Sequence, residues 1–464
     1  MKEKMFPSLG IAYLASILNE NGHDAMLNDG NNSSFSDLLS YVNKIKPDIV
    51  GITMNTTNRF EALKLSKEIK DKFKLPIMLG GPHPTLLSDQ ILKNYPFVDY
   101  IIRNEGEYST LELINSLSKS GDLKKIKGLS YRQGSNIMHN ERAEIIPDLD
   151  KLPFPEYKFF DLMSYAKQVE YPRELDKYPH GSIISSRGCP YQCTFCSSSS
   201  FWGHKIRFRS AKNVVDEIEH LYNNYNIRFI MYNDDNFTSD RERAIQICKM
   251  IIDKGLHKNM MWQCRAEVNL MNKELVSWMK KAGCNMIEFG VEDATPEGIK
   301  AFKKSHTQQQ VRDAFKLMKE FDIKTKSYFI VGGPHETKKN IELKKQFIQE
   351  LDPTVTTASI LLAYPGTEIY EDGKKNGLWD DSVWLNKCVG KKFHNHTPIY
   401  TGPNLNYSEL MEASAEINHW WGRKTGQQYS IRDNIKVAFD MVKEREFYKI
   451  YSMSKGVLKN MFKK

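Results

Sequence analysis

Cysteine is scarce in this sequence, and long apolar runs are missing from it. Seven cysteines occur in 464 residues, none of them before position 189. An odd number that includes four single cysteines does not fit a disulfide framework, so a reducing cytoplasm is the expected location. No apolar run approaches the roughly 18 residues that a membrane span needs. The opening residues MKEKMFPSLG lack the apolar core of a secretory signal.

The composition fits a soluble protein of two or three domains. Apolar residues make up 40% of the chain and charged residues 27%, which is enough for sizeable cores. The net charge is +9, and the last 34 residues, 431–464, hold nine Lys or Arg against four Asp or Glu. This basic, amphipathic end could rest on an anionic membrane or a nucleic acid. It could equally be a solvated helix that packs one face on its own domain.

Short apolar runs alternate with helical stretches in residues 1–120. A helix is predicted over 8–22, where apolar residues recur on one face until Gly22. Strands that alternate with helices are typical of a parallel α/β sheet. The region 121–180 then reads as a hairpin and a proline-rich linker that contains DLDKLPFPEYKFFD. The strand candidates are residues 24–28, 48–53, 75–81 and 98–103.

A second α/β series occupies residues 181–364. Six β-α units are too few for a closed eight-fold barrel, but they suit a partial (β/α)6 barrel. Residues 365–464 read as a mostly helical C-terminal region. The strand candidates are residues 181–186, 228–232, 260–265, 285–290, 326–332 and 354–361. The helices predicted between them cover about 211–224, 240–254, 273–282, 308–321 and 338–350.

Three of the seven cysteines, Cys189, Cys193 and Cys196, lie in SRGCPYQCTFC, on the loop after the first strand of this series. Zinc would take four ligands, usually as two separated pairs, and a redox C-x-x-C would leave Cys189 unused. A four-iron cluster normally takes four thiolates. Three thiolates would leave one iron open to bind and activate another molecule. The spacing C-x3-C-x2-C therefore predicts an iron–sulfur site at the C-terminal strand ends, where parallel α/β folds bind ligands.

Several motifs carry a resemblance to a known family. CPYQCTFC resembles the signature of the radical S-adenosylmethionine (SAM) enzymes. FWGHKIRFRSAKNVVDEIEHL, MYNDDNFT, EFGVEDAT, YFIVGGPHET and AYPGTEIY are similar to successive barrel segments of the cobalamin-dependent branch. PSLGIAYLASILNENGHDA, DIVGIT, LGGPHPT and RNEGE resemble that branch's cobalamin-binding domain, and DLDKLPFPE resembles its interdomain linker. The resemblance implies an α/β fold: a flavodoxin- or Rossmann-like cobalamin-binding domain, a radical SAM partial barrel and a helical tail.

The resemblance also implies roles for residues at matching positions. Cys189, Cys193 and Cys196 would hold a 4Fe–4S cluster, whose open iron would chelate the amino and carboxylate groups of SAM. Two motifs have a plainer interpretation, because Asp235-Asn236 and Glu336-Thr337 could simply begin the helices that follow them. The other implied SAM contacts are Phe195 at the adenine, Asp234 and Asp235 at the amino group, Arg265 at the carboxylate, Glu292 at the ribose, and Gly332 and Gly333 where backbone approaches the adenine.

The N-terminal domain departs from the family pattern. Family members usually begin with an apolar strand before the helix that here starts near Ser8, and MKEKMFP is too short and too polar to supply it. We expect that strand to be missing, through an upstream start or a degenerate domain. The D-x-H-x-x-G motif is absent too, so a bound cobalamin would have no axial histidine from it. The candidate cobalamin contacts are Thr53, Asn55, Gly80, Gly81, His83, Glu105, Gly106 and Glu107.

The implied activity is methylation of an unactivated carbon in a small-molecule or lipid substrate. It would need a 4Fe–4S cluster, SAM and cobalamin, with electrons from a flavodoxin- or ferredoxin-type donor. A radical SAM cyclase or rearrangement enzyme, in which cobalamin delivers no methyl group, stays open. So does a non-catalytic cobalamin- or nucleic-acid-binding protein, although no nucleic-acid motif occurs and no nucleic acid is expected. A peripheral membrane contact could come from the basic tail.

Aromatic residues in the C-terminal region have two interpretations. They could line an apolar substrate pocket at the barrel mouth, or they could pack in a core. The aromatic residues concerned are Tyr364, Trp379, Trp384, Trp420 and Trp421.

A methylthiotransferase is disfavoured, because such enzymes carry a second cysteine triad in the N-terminal domain, where this chain has no cysteine.

Overall fold

The computed structural model describes residues 6–30, 33–166, 175–387, 393–394 and 396–425. These residues form two α/β sheets and a C-terminal helical region. The basic segment 431–464 lies outside them. Among the residues described, no helix combines the length and the apolar character that a membrane crossing requires.

Three parallel strands form the first half of the N-terminal sheet. Its elements are α1 (Leu9–Glu20), α2 (Phe35–Ile45), β1 (Val50–Thr53), α3 (Arg59–Phe73), β2 (Ile77–Gly80), α4 (Pro82–Asn94), β3 (Tyr100–Ile102) and α5 (Glu107–Lys119). Thr53 lies opposite Gly80, and Gly80 lies opposite Ile102. The loops after all three strands therefore leave from one edge, and the strands predicted at 48–53, 75–81 and 98–103 are confirmed.

The predicted hairpin extends this sheet. Its strands, β4 (Leu129–Gln133) and β5 (Asn136–His139), run antiparallel, and β4 pairs with β3 through Tyr131 opposite Tyr100. The order in the described residues is β1-β2-β3-β4-β5. The hairpin thus belongs to the N-terminal sheet rather than to the linker region 121–180, because it satisfies the backbone groups at the edge of β3. The domain boundaries themselves stay predictions.

The strand predicted at residues 24–28 is wrong. The structure assigns no strand to these residues, and Met26 among them is 46% exposed. Within the described part of the chain, β1 pairs only with β2. A short apolar run without a neighbouring strand has no ladder of hydrogen bonds to join. β1 itself is only half-buried, with Gly51 exposed, whereas Ile77 and Leu79 of β2 are fully buried.

A parallel six-stranded sheet forms the second unit of the described chain, in the order β13-β12-β11-β10-β9-β6. Its strands are β6 (His180–Ile183), β9 (Phe229–Tyr232), β10 (Met261–Ala266), β11 (Cys284–Glu292), β12 (Lys324–Val331) and β13 (Val355–Ile360). A two-stranded ribbon, β7 (Ser186–Arg187) and β8 (Arg207–Phe208), follows β6. All six predicted strands are present, and their open order confirms the partial barrel.

Helices follow the strands of this unit, and the longer ones pack against one face of the sheet. The short α7 instead contacts α4 of the N-terminal unit. The helices are α6 (Leu162–Ala166), α7 (Ser198–Trp202), α8 (Ala211–Tyr225), α9 (Arg241–Asp253), α10 (Lys273–Lys281), α11 (Pro296–Ala301), α12 (Gln308–Glu320) and α13 (Lys338–Leu351). The alternation along β10 shows how the sheet sorts its side chains. Trp262 and Cys264 are fully buried in the core between sheet and helices, whereas Gln263 and Arg265 point to the opposite face, the barrel interior.

The C-terminal helix protects the edge of the barrel. It is the last of four elements: α14 (Glu368–Lys375), β14 (Phe393–His394), β15 (Thr397–Pro398) and α15 (Tyr407–Thr425). The Asn418 amide accepts from the Ala358 N–H at 2.8 Å and donates to the Ala358 carbonyl at 2.9 Å. The side chain thereby takes the place of a neighbouring strand beside β13.

Buried charges join the two sheets. Arg187 donates to Oε1 of Glu105 and to Oε1 of Glu107, both at 2.7 Å. Arg207 donates to Oε2 of Glu105 at 2.7 Å, and the Ile146 N–H reaches the same oxygen at 2.8 Å. All four charged side chains are at most 6% exposed. Because the two glutamates follow β3 and Arg187 precedes the cysteine loop, the network fixes one sheet end against the other.

Replacing Glu105 by Gln should destabilise the protein strongly. The change leaves the buried Arg187 and Arg207 with one carboxylate between them, a loss that costs about 3–5 kcal/mol. The midpoint of denaturant unfolding measures it. Asp71→Asn is the control, because Asp71 and its partner Lys67 are 57% and 60% exposed and such a pair contributes little. Equal midpoints for both variants would contradict a linking role for Glu105.

Candidate functional site

The cysteine loop leaves the barrel sheet through a turn that only glycine fits. Gly188 has φ +93°, and a Cβ on it would lie 2.5 Å from the Lys205 carbonyl oxygen. The next residue is Cys189, which like Cys193 and Cys196 is partly exposed. The three thiols thus lie at the C-terminal end of β6, as the motif predicts.

Main-chain contacts hold the loop in place. The Thr194 N–H donates to the Phe302 carbonyl at 3.2 Å, just after α11, and the Ile369 N–H donates to the Thr194 carbonyl at 3.0 Å. The Cys196 N–H donates to the Cys193 carbonyl at 3.1 Å. Because the anchors come from the barrel and from the C-terminal region, the protein itself sets the positions of the thiols.

The three loop thiols are the predicted ligands of a 4Fe–4S cluster, in which each thiolate would bind a different iron. Among the described residues, no three His, Cys, Asp or Glu side chains form a group that could hold a single metal ion. Burial raises the pKa of Cys189 to about 11 and that of Cys193 to about 12. The free thiols are therefore protonated at neutral pH, and a cationic iron centre would favour their thiolate forms.

Three further cysteines lie in the barrel core. Cys248, Cys264 and Cys284 are at most 3% exposed. Burial raises the pKa of Cys248 and of Cys264 well above the usual value. Thiols buried in an apolar core are chemically inert, so burial separates these residues from the partly exposed loop cysteines.

The end of β9 offers one acidic side chain to the site, not two. Asp234 is fully buried, and its carboxylate accepts from the Ser185 N–H at 2.6 Å, the Ser185 hydroxyl at 2.5 Å and the Ser186 hydroxyl at 2.7 Å. These bonds tie β9 to the start of the cysteine loop. Asp235 is exposed and accepts one hydrogen bond, from Ser198 at 2.5 Å. Asp235 is therefore the more accessible candidate for an amino group.

Arg265 belongs to a polar group inside the barrel. Its Nε lies 3.4 Å from Oε2 of Glu288 on β11. The Tyr328 hydroxyl donates to the same oxygen at 2.9 Å, and the Gln263 amide reaches Oε1 at 3.4 Å. Glu288 and Tyr328 were missed from the sequence. The sequence did contain a signal for Glu288, because a charged residue at an inward position of the mostly apolar strand β11 needs a polar partner.

Glu292 is placed under strain at the end of β11. Its φ is +64°, an unusual value for a residue with a side chain, and the pairing with β12 shifts register beside it. A Cβ on Gly290 would lie 2.4 Å from Oε1 of Glu292 and 3.4 Å from Nζ of Lys304. Burial raises the pKa of Glu292 to about 7, although the Lys304 ammonium opposes the rise. This is the environment expected of a carboxyl group that meets a ligand.

Lys304 is a buried cation that the sequence did not reveal. Its side chain is 4% exposed, and Nζ lies 2.5 Å from Oε1 of Glu267. His306, fully buried, approaches the other oxygen of Glu267 at 3.4 Å. The ammonium also acts on Cys193, whose pKa burial raises and Lys304 lowers in part. A positive charge beside the cysteine loop complements an anionic thiolate cluster.

Aromatic rings connect the cysteine loop to the glycine turn after β12. Phe195 meets Phe302 edge to face at 5.4 Å, and Phe302 meets His335 in the same way at 5.1 Å. Gly332 and Gly333 follow β12 with φ of +114° and +111°. Ring contacts thus run from the cysteine loop to the residues that follow the glycine turn. The Thr337 hydroxyl accepts a hydrogen bond from the Asn340 N–H and caps α13, in agreement with the plainer interpretation of its motif.

The predicted cobalamin contacts divide into open and buried groups. Thr53 and Gly80 end the paired strands β1 and β2, and Asn55 is exposed in the loop between β1 and α3. Gly81 packs closely on that loop, since a Cβ on it would lie 2.7 Å from the Met54 carbonyl oxygen. Gly106, partly exposed, precedes α5.

The side chains of the other predicted cobalamin contacts are buried and make their contacts with other residues of the protein. Glu105 and Glu107 hold the buried arginines described above. His83 is 2% exposed, 3.1 Å from the Thr56 hydroxyl and edge to face with Trp384. Burial, assisted by the Arg59 charge, lowers the pKa of His83 to about 3. The imidazole is therefore neutral and enclosed.

The fold and the site together define a radical-SAM-type partial barrel beside a cobalamin-type sheet. The family model of the Radical SAM superfamily matches residues 183–348, and that of the B12 binding domain matches residues 3–114. An uncharacterized methyltransferase, PH0819 of Pyrococcus horikoshii, is 35% identical over 381 residues, 82% of this chain and 81% of that protein. This chain belongs to the cobalamin-dependent radical SAM enzymes.

Other relatives agree with this assignment. The anaerobic magnesium-protoporphyrin IX monomethyl ester cyclase of Cereibacter sphaeroides is 29% identical over 426 residues, 88% of this chain and 65% of that protein. The structure of the radical SAM methyltransferase TsrM from Kitasatospora setae shares the fold, with a TM-score of 0.72 at 17% identity over 93% of this chain and 97% of that one. The expected fold class and the cofactors, a 4Fe–4S cluster, SAM and cobalamin, are confirmed at the level of the family.

Alanine at Cys189, Cys193 or Cys196 should abolish cluster assembly. Each variant removes one of three protein ligands, so iron and acid-labile sulfide after anaerobic reconstitution should fall from about four per chain to near zero. Cys248→Ala is the control, because this thiol lies in the apolar core, and its iron content should match the wild type. Full iron content in any loop variant would contradict the assignment of that residue.

Proposed function

We propose that this enzyme cleaves SAM reductively with a 4Fe–4S cluster and methylates an unactivated carbon of a substrate not yet identified. The observation that carries the proposal is the loop of three partly exposed thiols at the barrel mouth, joined through Arg187 to the cobalamin-type sheet. With its cofactors bound, the reaction uses two SAM and two electrons per methyl group and yields S-adenosylhomocysteine, methionine and 5′-deoxyadenosine.

The chain's own residues bind and orient the reactants in this proposal. Cys189, Cys193 and Cys196 hold the cluster, and Asp235 accepts from the amino group of SAM. Glu292 accepts from the ribose hydroxyls. A one-electron donor is required, and we propose a flavodoxin- or ferredoxin-type protein, as expected from the sequence.

Three of the C-terminal tryptophans are core residues, whereas Trp420 and Tyr364 are half-buried. Trp379, Trp384 and Trp421 are each at most 8% exposed and pack in cores. The Trp421 indole N–H donates to the Pro353 carbonyl at 3.1 Å, which anchors α15 on the barrel. The core-packing interpretation thus applies to these three residues, and the proposed approach for a small-molecule or lipid substrate is the barrel mouth beside the cysteine loop.

A cyclase or rearrangement reaction is the second candidate. The similarity to the Cereibacter sphaeroides cyclase over 88% of this chain favours it. In such an enzyme cobalamin would accept no methyl group from SAM. The fate of that methyl group therefore separates the two candidates.

Methyl transfer can be tested before the substrate is known. The reconstituted protein, loaded with cobalamin and reduced with titanium(III) citrate, is incubated with SAM deuterated in its S-methyl group. Mass spectrometry should find the label in the protein-bound cobalamin, and not in free cobalamin treated alike. Retained cobalamin without label would favour the cyclase or rearrangement reaction, and failure to retain cobalamin would contradict both candidates.

Nucleoside affinity should depend on the ionisation of Glu292. Its pKa is raised to about 7, so the carboxyl group is mostly neutral at pH 6 and mostly ionised at pH 8. Ribose hydroxyls donate more strongly to a carboxylate, so S-adenosylhomocysteine should bind about tenfold more tightly at pH 8 than at pH 6. Equilibrium dialysis measures the affinities. Glu292→Gln should remove the pH dependence of the affinity. Glu288→Gln, a change on the same strand, should retain it. A wild-type affinity that does not vary with pH would contradict the proposed contact of Glu292 with the ribose.

A further inference from the structure

We infer that Lys304 raises the reduction potential of the cluster on the cysteine loop, by holding a fixed positive charge beside Cys193. The inference rests on the proposed function, because it requires a 4Fe–4S cluster on this loop. It adds a positioning residue that binds no iron and acts through its charge. Lys304 is the third residue after α11.

The segment after α11 runs along the cysteine loop. The residue that follows Cys193, Thr194, donates its N–H to the Phe302 carbonyl at 3.2 Å. Its hydroxyl donates to the Ala301 carbonyl at 3.3 Å. The end of α11 is thereby joined to the chain directly beside Cys193.

A second contact lies on the other side of Cys193. The side chain of Tyr191 approaches Ser305 and Asn269, and the Asn269 amide donates to the Ser305 carbonyl at 3.2 Å. The loop thus meets this segment both before and after Lys304, and Cys193 lies between the two contacts. The backbone therefore places Lys304 opposite Cys193.

The turn after α11 directs the Lys304 side chain inward. Lys303 has φ +52°, the left-handed conformation that ends many helices. The Lys304 N–H then donates to the Ile299 carbonyl at 3.0 Å. The Lys303 side chain is 51% exposed, whereas that of Lys304 is 4% exposed. Two adjacent lysines therefore differ in burial, and Lys303 is a matched control for Lys304.

The Lys304 ammonium has a fixed position and keeps its charge. Its Nζ lies 2.5 Å from Oε1 of Glu267, and His306 lies 3.4 Å from the other oxygen of that carboxylate. A Cβ on Gly290 would lie 3.4 Å from Nζ, so the glycine gives the ammonium its space. Burial would lower the pKa of Lys304, but the Glu267 and Glu292 carboxylates outweigh burial and raise that pKa.

The positive end of this ion pair acts on the loop more strongly than the negative end. Burial raises the pKa of the Cys193 thiol, and several charged side chains act on it as well. Lys304, which lowers that pKa, has the largest influence among them, ahead of Glu267, which raises it. Salt screens a buried charge of this kind only weakly.

A fixed cation favours the reduced form of the cluster. One electron from the proposed donor oxidises the donor and adds a negative charge to an already anionic group of iron, sulfide and thiolates. A nearby positive charge stabilises this product more than it stabilises the oxidised cluster. Net charge is one of the factors that set the potentials of iron–sulfur clusters. Lys304 should therefore make the cluster easier to reduce.

The test is a redox titration of the reconstituted protein under anaerobic conditions and without SAM. The EPR signal of the reduced cluster, followed against potential, gives the midpoint. Lys304→Met should lower the midpoint by at least about 59 mV, which is a tenfold lower ratio of reduced to oxidised cluster at a given potential. Lys303→Met, the same change at the exposed neighbour, should leave the midpoint close to that of the wild type, because solvent screens an exposed charge.

Two further variants separate charge from structure. Lys304→Arg keeps the positive charge and should restore a midpoint close to that of the wild type, which a purely structural role of the lysine would not predict. Glu267→Gln removes the negative partner of the ammonium and should shift the midpoint in the opposite direction, to a higher potential.

The midpoint is measured only on assembled clusters, so incomplete reconstitution does not change it. An unchanged midpoint in Lys304→Met, or a midpoint in Lys304→Arg as low as in Lys304→Met, would overturn the inference alone. If Lys304→Met assembles no cluster, Glu267→Gln decides, and a midpoint that does not rise would overturn the inference. A wild type that assembles no cluster would overturn the proposed function with it.

Discussion

The arrangement of the whole site depends on the buried contact of Arg187 with Glu105 and Glu107. A buried ion network adds little net stability, because desolvation of its charges offsets their attraction. Its hydrogen bonds are directional, however, and they are satisfied only when the two sheets meet in one way. Arg187 lies two residues before Cys189, and Glu105 is the third residue after the end of β3. We therefore attribute to this network the fixed distance between the cysteine loop and the cobalamin-type strand ends.

Buried charge also separates supporting residues from those that face a ligand. Asp234, Glu288 and Asp293 are buried acids at the ends or inward faces of the barrel strands, and each has protein donors close to its oxygens. Glu292 differs from them, because it has a raised pKa and a strained backbone. Proteins hold groups in such conditions where a ligand completes them.

The strand rhythm and the cysteine spacing made most of the fold predictable from the sequence. Contacts between distant segments were not predictable in the same way. The run at 24–28 has strand-like composition, yet no neighbouring strand is available to pair with it. Glu105 and Glu107 look like ligands of a loop, but arginines 80 to 102 positions away neutralise them. Lys304 gave no signal, because only the folded chain brings it beside Cys193.

The two sets of thiols show how local structure decides chemistry. Cys248, Cys264 and Cys284 lie on helices and strands, where regular packing buries them against apolar neighbours. The loop cysteines avoid this, because Gly188 turns the chain away from the sheet and Thr194 fastens the loop to the end of α11. The loop is held by main-chain bonds that do not involve the sulfur atoms. Main-chain contacts of the loop, and not packing of the cysteine side chains in a core, therefore set where the three thiols lie.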